Sequence, residues 1–414
     1  MATITHLNGN GVKPNGHGVH APPLSKEAQA LDSSDLDLPD IDPSKLTITL
    51  ANDLKPLPPP ESLVFGQTMT DHMLIMSFDP TTGWSAPEIK PFGPLSLDPA
   101  SSCFQYCPNV FEGMKAYLDP EGRPRLFRPD LNMDRFTKST ERVALPTFNA
   151  SALLELIKEL VSVDARWIPK KRGYSLYIRP TLLGTRPGLG VAASTHALLY
   201  VLLSPTGPYF PSGFKPVSLL ASEDAVRSWP GGTGGFKLGL NYAPCFQPQR
   251  QAAKRGYDQL LWLLGEERRI CEVGQMNFFV VTQREDGDLD LLTPPLDGTI
   301  LPGITRNSCL QLAEAHTTGR EPLDTLKEKL HPSERAITMA DLLNFSNSGT
   351  LLEVFGAATA AVITPVGRIG YNGSDIHIPT YEGGLGPVGR NLYERIVDIQ
   401  EGRYKHEWSV LCSE

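Results

Sequence analysis

A chain of 414 residues has room for one or two domains and a tail, and 40% apolar against 20% charged residues is the balance of a globular protein. The net charge of −8 gives no electrostatic reason to expect nucleic acid or an anionic membrane surface as a partner, and no apolar run reaches the ~18–20 residues that span a bilayer. Six cysteines make no disulfide framework in this length; Cys103 and Cys107 lack a second Cys/His pair at zinc-ligand spacing, so they read as ordinary thiols and no metal is expected.

Residues 1–45, rich in Asn, Gly, Pro, Ser and Asp and without periodicity, read as a disordered polar tail. The first arginine is Arg123 and "SSDLDLPDID" is acidic, which argues against a mitochondrial presequence; "LCSE" is no peroxisomal address, so a cytoplasmic protein is expected. From 46 to 203, short strands alternate with helices. "HMLIMSFD", "YSLYIRP" and the continuous apolar run "ALLYVLLS" read as strands. "NASALLELIKELVSVDARW" places Leu153, Leu156, Ile157, Leu160 and Val161 on one helical face, with Asn149 or Ser151 as N-cap. "SPTGPYFPSGF" breaks this pattern and predicts an interdomain linker over 204–217. In 218–414, "DQLLWLL" and "NFFVVTQ" read as strands and "REDGDLDLLT" as an Asp-Gly hairpin turn leading to another. "PGITRNSCLQLAEAH" reads as a helix, "TMADLLNF" opens with Thr338 and Asp341 at capping-box spacing, and "RNLYERIVDIQEGR" is an amphipathic helix. Strands interleaved with helices, without a regular βαβ rhythm, predict an α+β fold in two domains.

One stretch asks for chemistry. "GGTGGFKLGLNYAP" carries a single charge, Lys237, among glycines. It is no Walker loop, because Phe236 precedes the lysine and Leu238 follows it, and G-x-G-x-x-G fails because the last glycine falls on Lys237. Two readings stand: a surface lysine on a flexible loop, or a backbone passing close to a ligand, with an amine whose surroundings favour the neutral, Schiff-base-forming state. Other segments supply what a pyridoxal phosphate site requires. The ring nitrogen must stay protonated, and "CEVGQMNFFV" offers Glu272 in an apolar strand. The phosphate needs helix-start amides and an arginine, which "LPGITRNS" and "FRPDLNMDRF" provide.

Taken together the segments "FEGMKAY", "RLFRPDLNMDRF", "SLYIRP", "GPYFPSG", "KLGLNYAP", "EVGQMNFF", "TPPLDGTILPGITR", "GAATAAVITP" and "HIPT" resemble, in order, those of the branched-chain amino acid aminotransferases. The resemblance, to the fold type IV pyridoxal phosphate family, covers nearly everything after the tail. It implies a two-domain α+β fold type IV architecture with the cofactor site at the domain interface. By the same resemblance Lys237 would form the cofactor Schiff base and shuttle the substrate proton. Glu272 would pair with the ring nitrogen, Tyr242 would bond the phenolic oxygen, and Arg135, Thr359 and the amides of Ile304 and Thr305 would hold the phosphate.

The residues matching the family's substrate pocket are Tyr106, Phe111, Tyr177, Arg179 and Tyr209, with the turn at Thr359 and Ala360 for the α-carboxylate and Arg179 for the second carboxylate of glutamate. Leu189 to Val191 match a loop that reaches a neighbouring subunit's site, which implies a homodimer. Three departures from the family pattern stand out: Leu240 where many relatives carry a small residue, Gln275 in place of Thr, and Ala361 and Thr364 in place of the mammalian Cys-x-x-Cys pair. The implied activity is transamination of leucine, isoleucine or valine with 2-oxoglutarate. A paralogue with a shifted donor range, a D-amino acid transaminase or lyase, or a cofactor-binding protein without turnover are the alternatives.

Overall fold

The computed structural model describes residues 38–208, 214–222 and 224–413. Most of the expected tail therefore lies outside the described residues, but 38–45 are placed. Asp42 caps the 3-10 turn Pro43–Lys45, Ile41 is buried, and the Pro39 carbonyl accepts from Trp84 N–H at 2.9 Å.

Two sheets divide the chain. The first has ten strands, with Glu88–Pro91, His72–Asp79, Ala197–Thr206, Ser175–Gly184, Met114–Leu118 and Pro124–Phe127 side by side. The helices Pro129–Arg142 and Ala150–Val163 cover one face. Asn149 caps the second helix by accepting from Ala152 N–H at 3.0 Å, and Leu153, Leu156, Ile157, Leu160 and Val161 are all buried as the periodicity requires. Such a cap contributes about 1 kcal/mol. The apolar run "ALLYVLLS" has two lives: Leu199, Val201 and Leu203 enter the core, while Tyr200 and Leu202 point to the opposite face and border a cavity. Residues 204–206, expected to open the linker, continue this strand, because they pair with 175–177. Residues 209–213 of the linker lie outside the described residues.

The second sheet closes on itself. Gln259–Leu264, Val217–Ala221, Val362–Tyr371, Leu351–Ala358 and Met276–Gln283 follow in order, and Arg269–Val273 pairs with both the first and last of these, forming a six-stranded ring. The ring closes through only two residue pairs, Glu272 with Asn277 and Val273 with Met276, across the turn at Gly274–Gln275. The helices Ile304–Thr317 and Pro387–Gln400 pack on one side and Met339–Ser348 on another; the last begins with a complete capping box in which Thr338 and Asp341 satisfy each other's amides. The final strand, Ser409–Leu411, returns to the first sheet and pairs with Pro124–Phe127.

Candidate active site

A cavity of about 950 Å³ lies between the two sheets. The first sheet supplies Phe111, Tyr177, Arg179, Thr181, Tyr200 and Leu202; the closed ring supplies Glu272, Gln275, Met276 and the 357–361 turn. Strand alternation explains the first group: Tyr177, Arg179 and Thr181 face the cavity, while Leu176, Ile178 and Leu182 at the alternate positions are fully buried in the core.

Lys237 enters from the loop after the glycine run. Its N–H donates to Ser139 Oγ at 2.9 Å and its carbonyl accepts from Phe111 N–H at 3.2 Å, so the backbone is held from two elements. Nζ donates to the Tyr242 hydroxyl at 3.3 Å and lies 4.8 Å from the Phe111 ring centre. The glycines upstream do something other than approach a ligand. Gly235 N–H donates to the Gly298 carbonyl at 2.9 Å, and a Cβ on Gly234 would stand 2.2 Å from the Thr299 carbonyl oxygen. They let two loops touch, and within 231–239 only Lys237 and Gly239 border the cavity.

Glu272 is 2% exposed. Its Oε1 accepts from Leu301 N–H at 2.9 Å and from the Asn277 amide at 3.5 Å. Oε2 lies 2.8 Å from Arg227 Nε, an ion-pair distance, yet off the hydrogen-bond direction, and it has no hydrogen bond among the described residues. Burial pushes the carboxyl up, and Arg227, the Leu301 amide and Lys237 oppose this only in part. A buried carboxylate on the cavity wall, with one oxygen lacking a hydrogen-bond donor, is what a protonated ring nitrogen requires.

The helix Ile304–Thr317 begins at Gly303 without a side-chain cap, and Ile304 and Thr305 border the cavity, so its first amides face the space a phosphate would fill. Glycine is required at 303 because a Cβ would meet Asn277 Oδ1 at 1.9 Å. Arg135 borders the same space, but it is first the partner of Glu112: Nε and Nη2 donate to that carboxylate at 2.6 and 2.8 Å, and Nη1 to the Pro302 carbonyl at 3.0 Å. Glu112 is fully buried. Burial would raise its carboxyl, and Arg135 overrides this and holds it below the ordinary value. These groups fit pyridoxal phosphate: an amine, a buried carboxylate with one unpartnered oxygen and an uncapped helix start line one cavity.

The structure brings Phe111, Tyr177, Arg179, Thr359 and Ala360 together on the cavity wall. Arg179 donates to the Tyr177 hydroxyl at 3.0 Å and lies 4.7 Å from the Phe111 ring centre, while its Nε has no partner among the described residues. Tyr106, Leu189 and Val191 are not on this wall. They stand together on the surface, where the Tyr106 hydroxyl donates to the Leu189 carbonyl at 2.5 Å, and Val191 is 77% exposed. Tyr209 lies outside the described residues. Of the departures, Gln275, Ala361 and Thr364 line the cavity, whereas Leu240 packs against the first core. The Thr364 hydroxyl is buried without a partner among the described residues.

Sequence reasoning missed Phe65, which meets Tyr177 edge-on at 4.8 Å, as well as Thr181, Tyr200, Glu112, Arg227 and Lys115. Glu112 and Lys115 were legible as lone charges inside the otherwise apolar "FEGMKAY"; Arg227 and Phe65 carry no such signal. Lys115 is buried, and Nζ donates to the Ala360 carbonyl at 2.8 Å. Burial alone pushes its ammonium down to about 8. The unfolded chain keeps that proton up to the ordinary value of 10.5, so it binds more protons than the folded protein between the two, and stability rises with pH there. Urea unfolding at both ends of this window is therefore expected to show wild type gaining about 3 kcal/mol relative to Lys115→Met. A pH-independent difference would contradict the burial.

The profile of the family described as Amino-transferase class IV matches residues 109–369. The chain belongs to this family. It is 49% identical over 372 residues to the branched-chain-amino-acid aminotransferase, mitochondrial, of Schizosaccharomyces pombe, covering 89% of this chain and 85% of the relative. It is 46% identical over 382 residues to the cytosolic branched-chain-amino-acid aminotransferase of Saccharomyces cerevisiae, covering 90% and 98%. Among solved structures, a bacterial T.th. branched-chain amino acid aminotransferase complexed with N-(5'-phosphopyridoxyl)-L-glutamate aligns with a TM-score of 0.62 at 26% identity, over 82% of this chain and 98% of that one.

Proposed function

We propose that the protein transfers the amino group of leucine, isoleucine or valine to 2-oxoglutarate, giving the branched-chain 2-oxo acid and glutamate, with pyridoxal phosphate as cofactor. The observation that carries this reading is the pairing, on one cavity wall, of the Lys237 amine with Glu272, whose buried Oε2 has no hydrogen-bond donor among the described residues. When bound, the cofactor supplies an aldehyde that condenses with amines and a ring that accepts the electron pair left at Cα.

The chain's own residues do the rest. Lys237 Nζ would hold the cofactor and, as a free amine, would take and return the proton at the donor Cα. Tyr242, within reach of Nζ, orients the amine and bonds the phenolic oxygen. Ile304, Thr305, Thr359 and Arg135 keep the phosphate in place while Lys237 is free, each charge-assisted bond contributing about 1.5–3 kcal/mol. Phe111 and Tyr177 exclude water and fit a branched apolar side chain, and Arg179 receives the second carboxylate when glutamate or 2-oxoglutarate occupies the site. The amides at Thr359–Ala360 hold the α-carboxylate.

Tyr106, Leu189 and Val191 form an exposed apolar cluster that supports the proposal of a homodimer, in which they would complete a neighbouring subunit's pocket, as would Tyr209 for this one. Light scattering at working concentration checks the dimer. The first domain is placed at 38–206 together with the returning strand Ser409–Leu411, and the second begins with the strand Val217–Ala221, so the connection between them narrows to 207–216. Relatives are named both mitochondrial and cytosolic; the cytoplasm is the location proposed for this one, which cell fractionation tests.

Borohydride reduction followed by peptide mass mapping is expected to leave a pyridoxyl group on Lys237. A panel of amino donors with 2-oxoglutarate is expected to rank leucine, isoleucine and valine first. Preference for D-alanine, or pyruvate release from aminodeoxychorismate, would replace the branched-chain reading.

A further inference from the structure

Arg227 lies one layer behind the cavity and does not border it. Its side chain is 4% exposed, and Glu272 is its ion-pair partner, with Nε 2.8 Å from Oε2. Nη1 is buried without a hydrogen bond to any described residue. The arginine belongs to an irregular stretch between Val226 and Trp229, which are 51% and 57% exposed, so a surface segment sends one charge inward.

As a stabilising device this is poor. Two desolvated charges with imperfect geometry and an unsatisfied N–H gain little over an apolar pair of the same volume. The arrangement makes sense as a way of setting charge. A donor bonded directly to Oε2 would use up one of its lone pairs; held close but off the hydrogen-bond direction, the guanidinium favours the ionised carboxylate by field and leaves that oxygen without a hydrogen bond. The other groups around Glu272 are the Leu301 amide and the Asn277 carboxamide on Oε1, Lys237 across the cavity, and the thiols of Cys245 and Cys271. Lys237 is committed to the cofactor, and the thiols are pushed up by burial and stay neutral, so Arg227 is the lasting cation.

We infer that Arg227 is a positioning residue for the transamination: it keeps Glu272 ionised, with Oε2 free to hold the proton on the cofactor's ring nitrogen. The inference rests on the assignment of Lys237 and Glu272 made above. Without Arg227, burial pushes the Glu272 carboxyl further up with less to oppose it, the counter-charge to the ring nitrogen weakens, and with it electron withdrawal from the substrate Cα.

The test uses full-length protein with Arg227→Met and Arg227→Lys. In Arg227→Met, kcat is expected to fall by about 10- to 100-fold, the usual cost of removing a group behind a ligand, with KM for leucine nearly unchanged. The pH midpoint of the bound cofactor's visible absorbance is expected to rise by about one unit, since a neutral ring no longer acidifies the imine attached to it. Arg227→Lys should restore part of both. A second readout needs no cofactor. With the folded carboxyl of Glu272 pushed further above its unfolded value, stability of the cofactor-free Arg227→Met protein should fall more steeply than wild type as pH rises through that interval. If Arg227→Met does not fold, Arg227→Lys carries the comparison through its absorbance midpoint. Lower stability with unchanged midpoint and kcat makes Arg227 merely structural and overturns the inference, even with the pyridoxyl label on Lys237. A label elsewhere overturns the site assignment itself.

Discussion

Lys237→Ala is expected to lower kcat by about 10⁴-fold or more, because one change removes both the attachment of the cofactor and the base that moves the Cα proton. The backbone at this position is held by Ser139 and Phe111, and the side chain is only half buried, so the fold should survive the truncation. Purified variant protein should still take up the cofactor through the groups around the phosphate but lose the absorbance of the lysine-bound form. Added small alkylamines should restore a fraction of turnover, since proton transfer needs an amine near Nζ and not the rest of the side chain. A variant within about tenfold of wild type would move the chemistry to another residue.

Glu272→Gln is expected to give the second largest loss, with two separable parts. Turnover should fall by about 10²–10³-fold, the scale for one pre-organised electrostatic partner. Stability should also fall, by about 3–5 kcal/mol, because the variant leaves the Arg227 guanidinium buried without a counter-charge. The two parts come apart in the double variant Glu272→Gln with Arg227→Met. It should recover most of the stability, since no unpaired charge remains, and none of the turnover. Denaturant unfolding beside steady-state kinetics on all three proteins reads this directly. Recovery of both, or of neither, would mean that the pair does not act as the geometry indicates.

Much of the secondary structure was legible before any fold was in hand, wherever the signal is local. The helix over 150–163 follows from five apolar residues at helical spacing and an asparagine that caps its first turn. The capping box at Thr338 and Asp341 needs only three residues of separation. The first 45 residues show the limit of composition: it marked a tail, but Ile41 and Pro39 belong to the body of the protein because of what they touch more than forty residues away. The glycine run shows the same limit. Glycine signals that something comes close, and the sequence does not say whether that is a ligand or, as here, the 298–299 loop.

The sequence by itself determined the chemistry on offer: a lysine among few charges, a carboxylate in an apolar strand, a Pro-Gly helix start, and a family pattern that gives each a role. Tertiary structure alone decided which groups meet. Closure of the ring through two residue pairs puts Glu272 at the cavity, the surface segment at 226–229 sends Arg227 in behind it, and Arg135 turns to Glu112 before it turns to any phosphate. Pairings across tens to hundreds of residues depend on packing and desolvation of the assembled sheets, and no local spacing encodes them; for that reason Tyr106, which matches the pocket pattern in sequence, stands apart from the cavity in the folded chain.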